Sequence, residues 1–162
     1  MNKYILSILV ENHSGVLSKM AGLFTRRGYN IDSLTVSITD DPTISRMTIV
    51  VSGDEQITEQ IVKQLNKLID VIKILELSPE KSVSREVALI KMALDQGTRS
   101  FIIETVNIFK CNIVEMNAKS IIIEITGNEE KVSSFIELMR PYGIKEVVRT
   151  GLAVLQRRSE TD

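Results

Sequence analysis

Glu11-Asn12-His13-Ser14-Gly15-Val16-Leu17 is the stretch on which the reading of this chain turns. Before it, Tyr4 to Val10 is apolar except for Ser7, as a strand covered on at least one face requires. After it, Val16, Leu17, Met20, Ala21, Leu23 and Phe24 recur at three- and four-residue spacing, the period of an amphipathic helix. Ser14 is expected to cap that helix. Arg26-Arg27 suit the negative end of its dipole, and Gly28 supplies a left-handed stop. The stretch is therefore a strand, a polar glycine-containing turn and the start of a helix. Free N–H groups and the positive end of the helix dipole make such a turn a ready anion site. It offers amides and an asparagine, but no nucleophile, no base and no metal cluster. A turn that can hold a carboxylate without transforming it points to a sensor.

Outward from the turn, Asn30–Thr39 reads as a second strand, with Ile31, Leu34, Val36 and Ile38 apolar. Asp40-Asp41-Pro42-Thr43 is turn chemistry, and Ser45–Ser52 returns as a third strand. Gly53-Asp54 ends that strand and caps a helix with Ile57, Ile61, Leu65 and Leu68 on one face; Val71–Leu77 is the fourth strand. The order strand, helix, strand, strand, helix, strand gives two right-handed split βαβ units, hence a four-stranded antiparallel sheet with both helices on one face. Ser78 to Ser82, which includes Pro79, is a polar linker.

The same order then recurs. Arg85–Leu94 is a strand, Ser100–Phe109 a helix, Asn112–Met116 and Ser120–Thr126 a hairpin, and Glu129–Arg140 a helix stopped by Pro141-Tyr142-Gly143. Ile144–Leu155 is expected to form one long final strand. The fold class is α+β, two tandem ferredoxin-like βαββαβ domains at 1–77 and 84–158, joined by 78–83 and followed by a tail at 159–162. The halves share topology and little sequence. Disorder is expected only at Arg157–Asp162.

The 162 residues suffice for one ordinary domain or two small ones, and 43% hydrophobic with 25% charged is the balance of a soluble globular chain. Net charge is −1 with both signs interleaved, so no basic stripe marks a nucleic-acid partner. The single cysteine, Cys111, excludes an intrachain disulfide and a cysteine-based metal site; between Phe109 and Ile113 it reads as a small buried hydrophobe. The single histidine, His13, is expected to face solvent, with no catalytic role and a mild pH effect on ligand affinity. The N-terminus enters a strand directly, without a signal core, transit peptide or transmembrane run, and a reducing cytoplasm is the expected compartment.

Three blocks carry a family resemblance: Ile8 to Ser18, Gly22 to Val36 and Thr39 to Ile49, the last including Asp40-Asp41-Pro42-Thr43. In that order and spacing they strongly resemble the small regulatory subunit of acetolactate synthase, whose N-terminal half is an ACT domain, an amino-acid-sensing module. Arg85 to Lys91 fits the C-terminal half of the family more loosely, and the resemblance covers essentially the whole chain. It implies no active site or bound cofactor in this chain, with thiamine diphosphate, Mg²⁺ and FAD on the large catalytic subunit. It implies a homodimer through ACT domains, activation of the large subunit, and feedback inhibition by valine or another branched-chain amino acid bound where two ACT domains meet. The residues assigned to that effector are Asn12, His13, Ser14, Gly15, Val16, Leu17, Asn30, Ile31 and Val36. Main-chain amides of Ser14–Leu17 suit the carboxylate, Asn12 and Asn30 the ammonium or the turn itself, and Val16, Leu17, Val36 and Ile38 the aliphatic side chain.

Other classes fit less well. A ferredoxin-like acylphosphatase needs an arginine in the first turn, and residues 11–15 contain none. An RRM-type RNA binder stacks bases on aromatics in its central strands, and Arg46 to Val51 has none. The remaining alternative is an ACT sensor that regulates a different enzyme. Effector preference, inhibition strength, holoenzyme stoichiometry, the surface that meets the large subunit and any ligand of the second domain stay open at this level.

Overall fold

The computed structural model describes residues 2–157, so Met1 and the expected 159–162 tail lie outside the described residues. The described residues divide into two compact units, one of residues 2–83 with 152–157 and one of residues 84–151. Each has the ferredoxin-like βαββαβ order.

In the first unit β1 (Asn2–Glu11), α1 (Val16–Arg27), β2 (Ser33–Ile38), β3 (Ile44–Gly53), α2 (Glu55–Leu65) and β4 (Val71–Leu77) follow one another. The sheet order is β2-β3-β1-β4, and every neighbouring pair is antiparallel. Alternate residues of the two central strands, Leu6, Ile8 and Val10 with Met47, Ile49 and Val51, meet Val16, Met20, Leu23 and Phe24 of α1 and Ile61 and Leu65 of α2. Gly28 ends α1 in the left-handed conformation, with its N–H donating back into the last turn. Asp54 caps α2 by accepting from the Ile57 N–H at 2.8 Å.

The expected final strand is two strands. β8 (Ile144–Arg149) ends where Thr150 donates its N–H to the Val87 carbonyl at 2.9 Å and its hydroxyl oxygen accepts from the Val87 N–H at 3.0 Å. Gly151 follows, and β9 (Ala153–Gln156) belongs to the first unit. There Leu152 and Val154 pack on Ile5, Val50 and Leu77, the face of the first sheet opposite its helices. Both faces of β1 are thereby covered, which accounts for its almost unbroken apolar sequence. The apolar alternation of 144–155 is real, but its two ends serve different cores.

In the second unit β5 (Ser82–Ala93), α3 (Arg99–Ile108), β6 (Asn112–Met116), β7 (Ser120–Gly127), α4 (Glu129–Met139) and β8 form a sheet of order β6-β7-β5-β8. Ala88, Ile90 and Met92 with Ile121, Ile123 and Ile125 face Ile102 and Val106 of α3 and Val132, Phe135, Ile136 and Met139 of α4. Cys111 packs at the margin of this core, and burial pushes its thiol up to about 11, which makes it unreactive near neutral pH. The buried Glu86 carboxylate is neutralised by Arg149, which also donates to Ser133.

Leu152→Ala should open a cavity against Ile5, Val50 and Leu77 and cost about 2–5 kcal/mol. A fall in the urea midpoint of the first unit, followed by tyrosine fluorescence and circular dichroism, is the expected outcome; an unchanged midpoint would show that the segment does not support the sheet.

Candidate functional site

Gly15, and not Ser14, is the N-cap residue of α1. Its φ of 89° lies in the left-handed region that a Cβ disfavours, so the chain can turn from β1 into α1 there only at little cost for glycine. No side chain caps the helix and its first turn carries no acidic residue. Lys19 donates its N–H to the Gly15 carbonyl at 3.0 Å, which leaves the N–H groups of Val16, Leu17 and Ser18 ahead of the first helical bond. These donors, at the positive end of the helix dipole, suit a carboxylate.

The turn is tied to two neighbouring connections. Asn12 donates its N–H to the Thr43 carbonyl at 2.7 Å and its side-chain amide to the Pro42 carbonyl at 2.9 Å, which fixes the turn to the β2–β3 hairpin. The Glu11 N–H donates to the Asp70 carbonyl at 2.9 Å, in the connection before β4. An open cleft of about 480 Å³ lies among Glu11, Asn12, His13, Pro42, Thr43, Ile44 and Ile72.

His13 lies at the surface as expected, its side chain 46% exposed, but both ring nitrogens are engaged. Its Nε2 is 2.8 Å from an Asp70 carboxylate oxygen, its Nδ1 is 3.0 Å from the Ser14 carbonyl, and Glu11 lies 3.5 Å from Nε2. The other Asp70 oxygen accepts from Lys19 Nζ at 2.8 Å, and the Asp70 side chain is only 7% exposed. The Ser14 carbonyl and then Asp70 raise the His13 pKa above 6.5, while the Lys19 hydrogen bond first and the His13 bond next hold Asp70 below 3.8. Stability drawn from the raised histidine is complete below 6.5 and is lost as pH climbs through its folded value; stability drawn from the depressed carboxylate is present above 3.8 and is lost as pH falls through its folded value. The pair is therefore intact between those two limits. Asp70 and Lys19 are absent from the sequence-derived site. Asp70 reads as a turn residue 57 positions from His13, and nothing local announces the contact.

Within one chain the structure gathers Asn12, His13, Ser14, Gly15, Val16 and Leu17 at one end of the sheet, and leaves Asn30 and Ile31 at the other. Asn12 bonds Thr43, whereas Asp32 bonds Val50, seven positions along β3, a separation of about 20 Å. Asn30 donates to the Asp32 carboxylate at 2.9 Å, and Asp32 also accepts from Ser52. Val16 is buried in the core and is no pocket wall, while Leu17 is exposed. On β2, Leu34, Val36 and Ile38 pair with Ile49, Met47 and Ser45, which places them on the helix-bearing face of the sheet; they stay exposed because β2 is an edge strand. An unpaired edge with an apolar row on its inner face is an association surface.

Residues 6–73 match the family model described as an AHAS small subunit-like ACT domain, and residues 85–158 match the model for the small subunit of acetolactate synthase. A protein of Archaeoglobus fulgidus described as a probable acetolactate synthase small subunit is 53% identical over 155 residues, covering 96% of this chain and 97% of its own. The acetolactate synthase small subunit of Mycobacterium bovis is 49% identical over 154 residues, covering 95% and 92%. The chain belongs to the acetolactate synthase small-subunit family. The crystal structure of the small subunit from Thermotoga maritima superposes with a TM-score of 0.89 at 40% identity, covering 98% of this chain and 99% of that one. The ACT-domain model thus falls within the first unit, and the second model spans the second unit and continues past it. Among the described residues no helix is long and apolar enough to cross a membrane.

Because His13 is the sole histidine, its imidazole proton signal can be followed by NMR without assignment. The wild-type midpoint should lie above 6.5 and move down in Asp70→Asn; a wild-type midpoint at or below 6.5 would contradict the contact geometry.

Proposed function

We propose that this chain is the regulatory subunit of acetolactate synthase: it activates the thiamine-diphosphate-dependent large subunit and confers feedback inhibition by valine or another branched-chain amino acid. Family membership supports the assignment. One observation carries the effector reading: the start of α1 at Gly15 has no side-chain cap and no acidic residue, in a turn that Asn12 ties to the hairpin at Pro42. The large subunit holds thiamine diphosphate, Mg²⁺ and FAD, and this chain supplies no catalytic group of its own. The reaction belongs to a cytoplasmic holoenzyme that joins two pyruvates with loss of CO₂.

Residues 1–77 bind the effector and dimerise, and 84–158 form the second domain. The dimer joins β2 to β2 of the second copy across a two-fold axis, which covers Leu34, Val36 and Ile38. Antiparallel pairing about the middle of β2 brings the start of the second copy's strand beside the end of this one. Asn30 and Ile31 of the partner subunit then adjoin the Asn12–Leu17 turn, although within one chain they lie about 20 Å away. The effector carboxylate meets the α1 amides, the two asparagines suit its ammonium, and Leu17, Val36 and Ile38 face its side chain. A ligand shared by two chains reports on the geometry between them, which is what inhibition by differential affinity requires.

In reconstituted holoenzyme, Gly15→Asp should abolish valine inhibition while subunit association survives, because a fixed carboxylate takes the anion site. Gly15→Ala controls for the backbone strain of a Cβ at φ 89°. Retained inhibition at wild-type valine concentrations would reject the site.

Shared sites predict complementation. Asn12→Ala and Asn30→Ala should each lose valine binding as homodimers, yet a mixed dimer of the two should recover one intact site per dimer, read as half-stoichiometric binding by calorimetry. No recovery would place both asparagines in the same chain's site.

A tagged chain should also bring down a thiamine-dependent large subunit, and the isolated chain should make no acetolactate from pyruvate with all cofactors present. Turnover by the chain alone would overturn the regulatory reading. Co-purification of a different enzyme would favour the alternative sensor.

A further inference from the structure

We propose that Asp70 is a positioning residue that holds His13 as an imidazolium, and that this makes effector binding at the start of α1 weaken as pH rises. The inference rests on the effector reading of that turn and goes further, to how the site is regulated.

Geometry carries the argument. Both ring nitrogens of His13 face oxygens that only accept: the Ser14 carbonyl at Nδ1 and the Asp70 carboxylate at Nε2. A neutral imidazole has one N–H, so either neutral tautomer turns a lone pair toward an oxygen within 3.0 Å. Only the doubly protonated ring satisfies both contacts. Asp70 can impose this because it is itself held: its second oxygen is bonded to Lys19, and its carbonyl accepts from the Glu11 N–H. It thus fixes the end of β1, the turn and the first turns of α1 from a buried position in the connection before β4.

Charge gives the direction of the effect. The titratable groups facing His13 are Glu11 at the end of β1 and Asp70 before β4, with Lys19 of α1 reaching it through Asp70. With His13 protonated, two anions balance two cations beside the free amides. Loss of that proton leaves the cluster with a net negative charge and breaks one contact that shapes the turn. Both changes disfavour an incoming carboxylate. The pKa of His13 is raised, so the loss falls on the alkaline side of the ordinary histidine range. A single charge near a helix terminus changes affinity by about fivefold.

The test is calorimetric titration of the full-length protein with valine, and in parallel with leucine and isoleucine, from about pH 6 to pH 9. The wild-type Kd should rise about fivefold across the His13 midpoint measured by NMR. His13→Gln, a neutral side chain at a half-exposed position, should bind as weakly as the alkaline wild type and show no step at that pH. Titration of the ligand's own amino group is common to both proteins and cancels. Asp70→Asn should move the step to lower pH, together with the histidine midpoint, which a purely structural role would not do. Saturable wild-type binding whose pH profile runs parallel to that of His13→Gln overturns this proposal alone. Absence of saturable binding by the wild type at every pH overturns the effector reading, and this inference with it.

Discussion

A helix that begins without a side-chain cap is the constraint on which the rest depends. Its leading N–H groups must be met by something, and side chains at the start of a helix normally meet them. Here left-handed Gly15 occupies the N-cap position, no side chain caps the helix, and no acidic residue enters the first turn. The donors therefore stay available. The turn does not relax to satisfy them because its neighbours bind it: Asn12 to the hairpin at Pro42 and Thr43, and Glu11 and His13 to Asp70. A site of this kind owes its affinity to groups left unsatisfied by a scaffold that is otherwise satisfied.

The second constraint is the sheet edge. β1 is covered on both faces, by the helices on one side and by Leu152 and Val154 on the other, and β3 lies between two strands. β2 has neither protection. Its apolar row faces the helix layer but reaches beyond it, so burial of Leu34, Val36 and Ile38 calls for a further surface. The proposed arrangement, in which a second copy supplies that surface, also solves the separation of Asn12 from Asn30. One hydrophobic requirement and one geometric one are then met by the same two-fold contact, and the ligand becomes a reporter of how two chains meet.

Much of this was legible in the chain. Periodicity located the four helices and the strands of both domains, since side-chain spacing of 3.6 or 2 is a local property of backbone geometry. Gly28 and Asp54 marked helix ends through chemistry that acts within a few residues. The motif around Asn12 and Gly15 was visible for the same reason. What was misread involved partners far along the chain. Ser14 has the right chemistry for a cap, but Gly15 takes the N-cap position. Val16 looked like a pocket wall and lies in the core. His13 is exposed as expected, but its bond to Asp70, 57 positions away, has no local sign. The strand expected at 144–155 breaks because its last residues fill a gap beneath a sheet formed by the first eighty or so.

By itself, then, the sequence determined the helices, the strands before the divided last one, the doubled α+β plan and the family, because all of these follow from local periodicity and from motifs contiguous in the chain. Only the tertiary structure decided that Gly15 is the cap residue, that Asp70 and Lys19 clamp the turn, that Leu152 and Val154 cover the first sheet, and that Asn12 and Asn30 stand at opposite ends of it. Those facts depend on which distant segments pack together, and packing is set by the shape left between elements once they have formed.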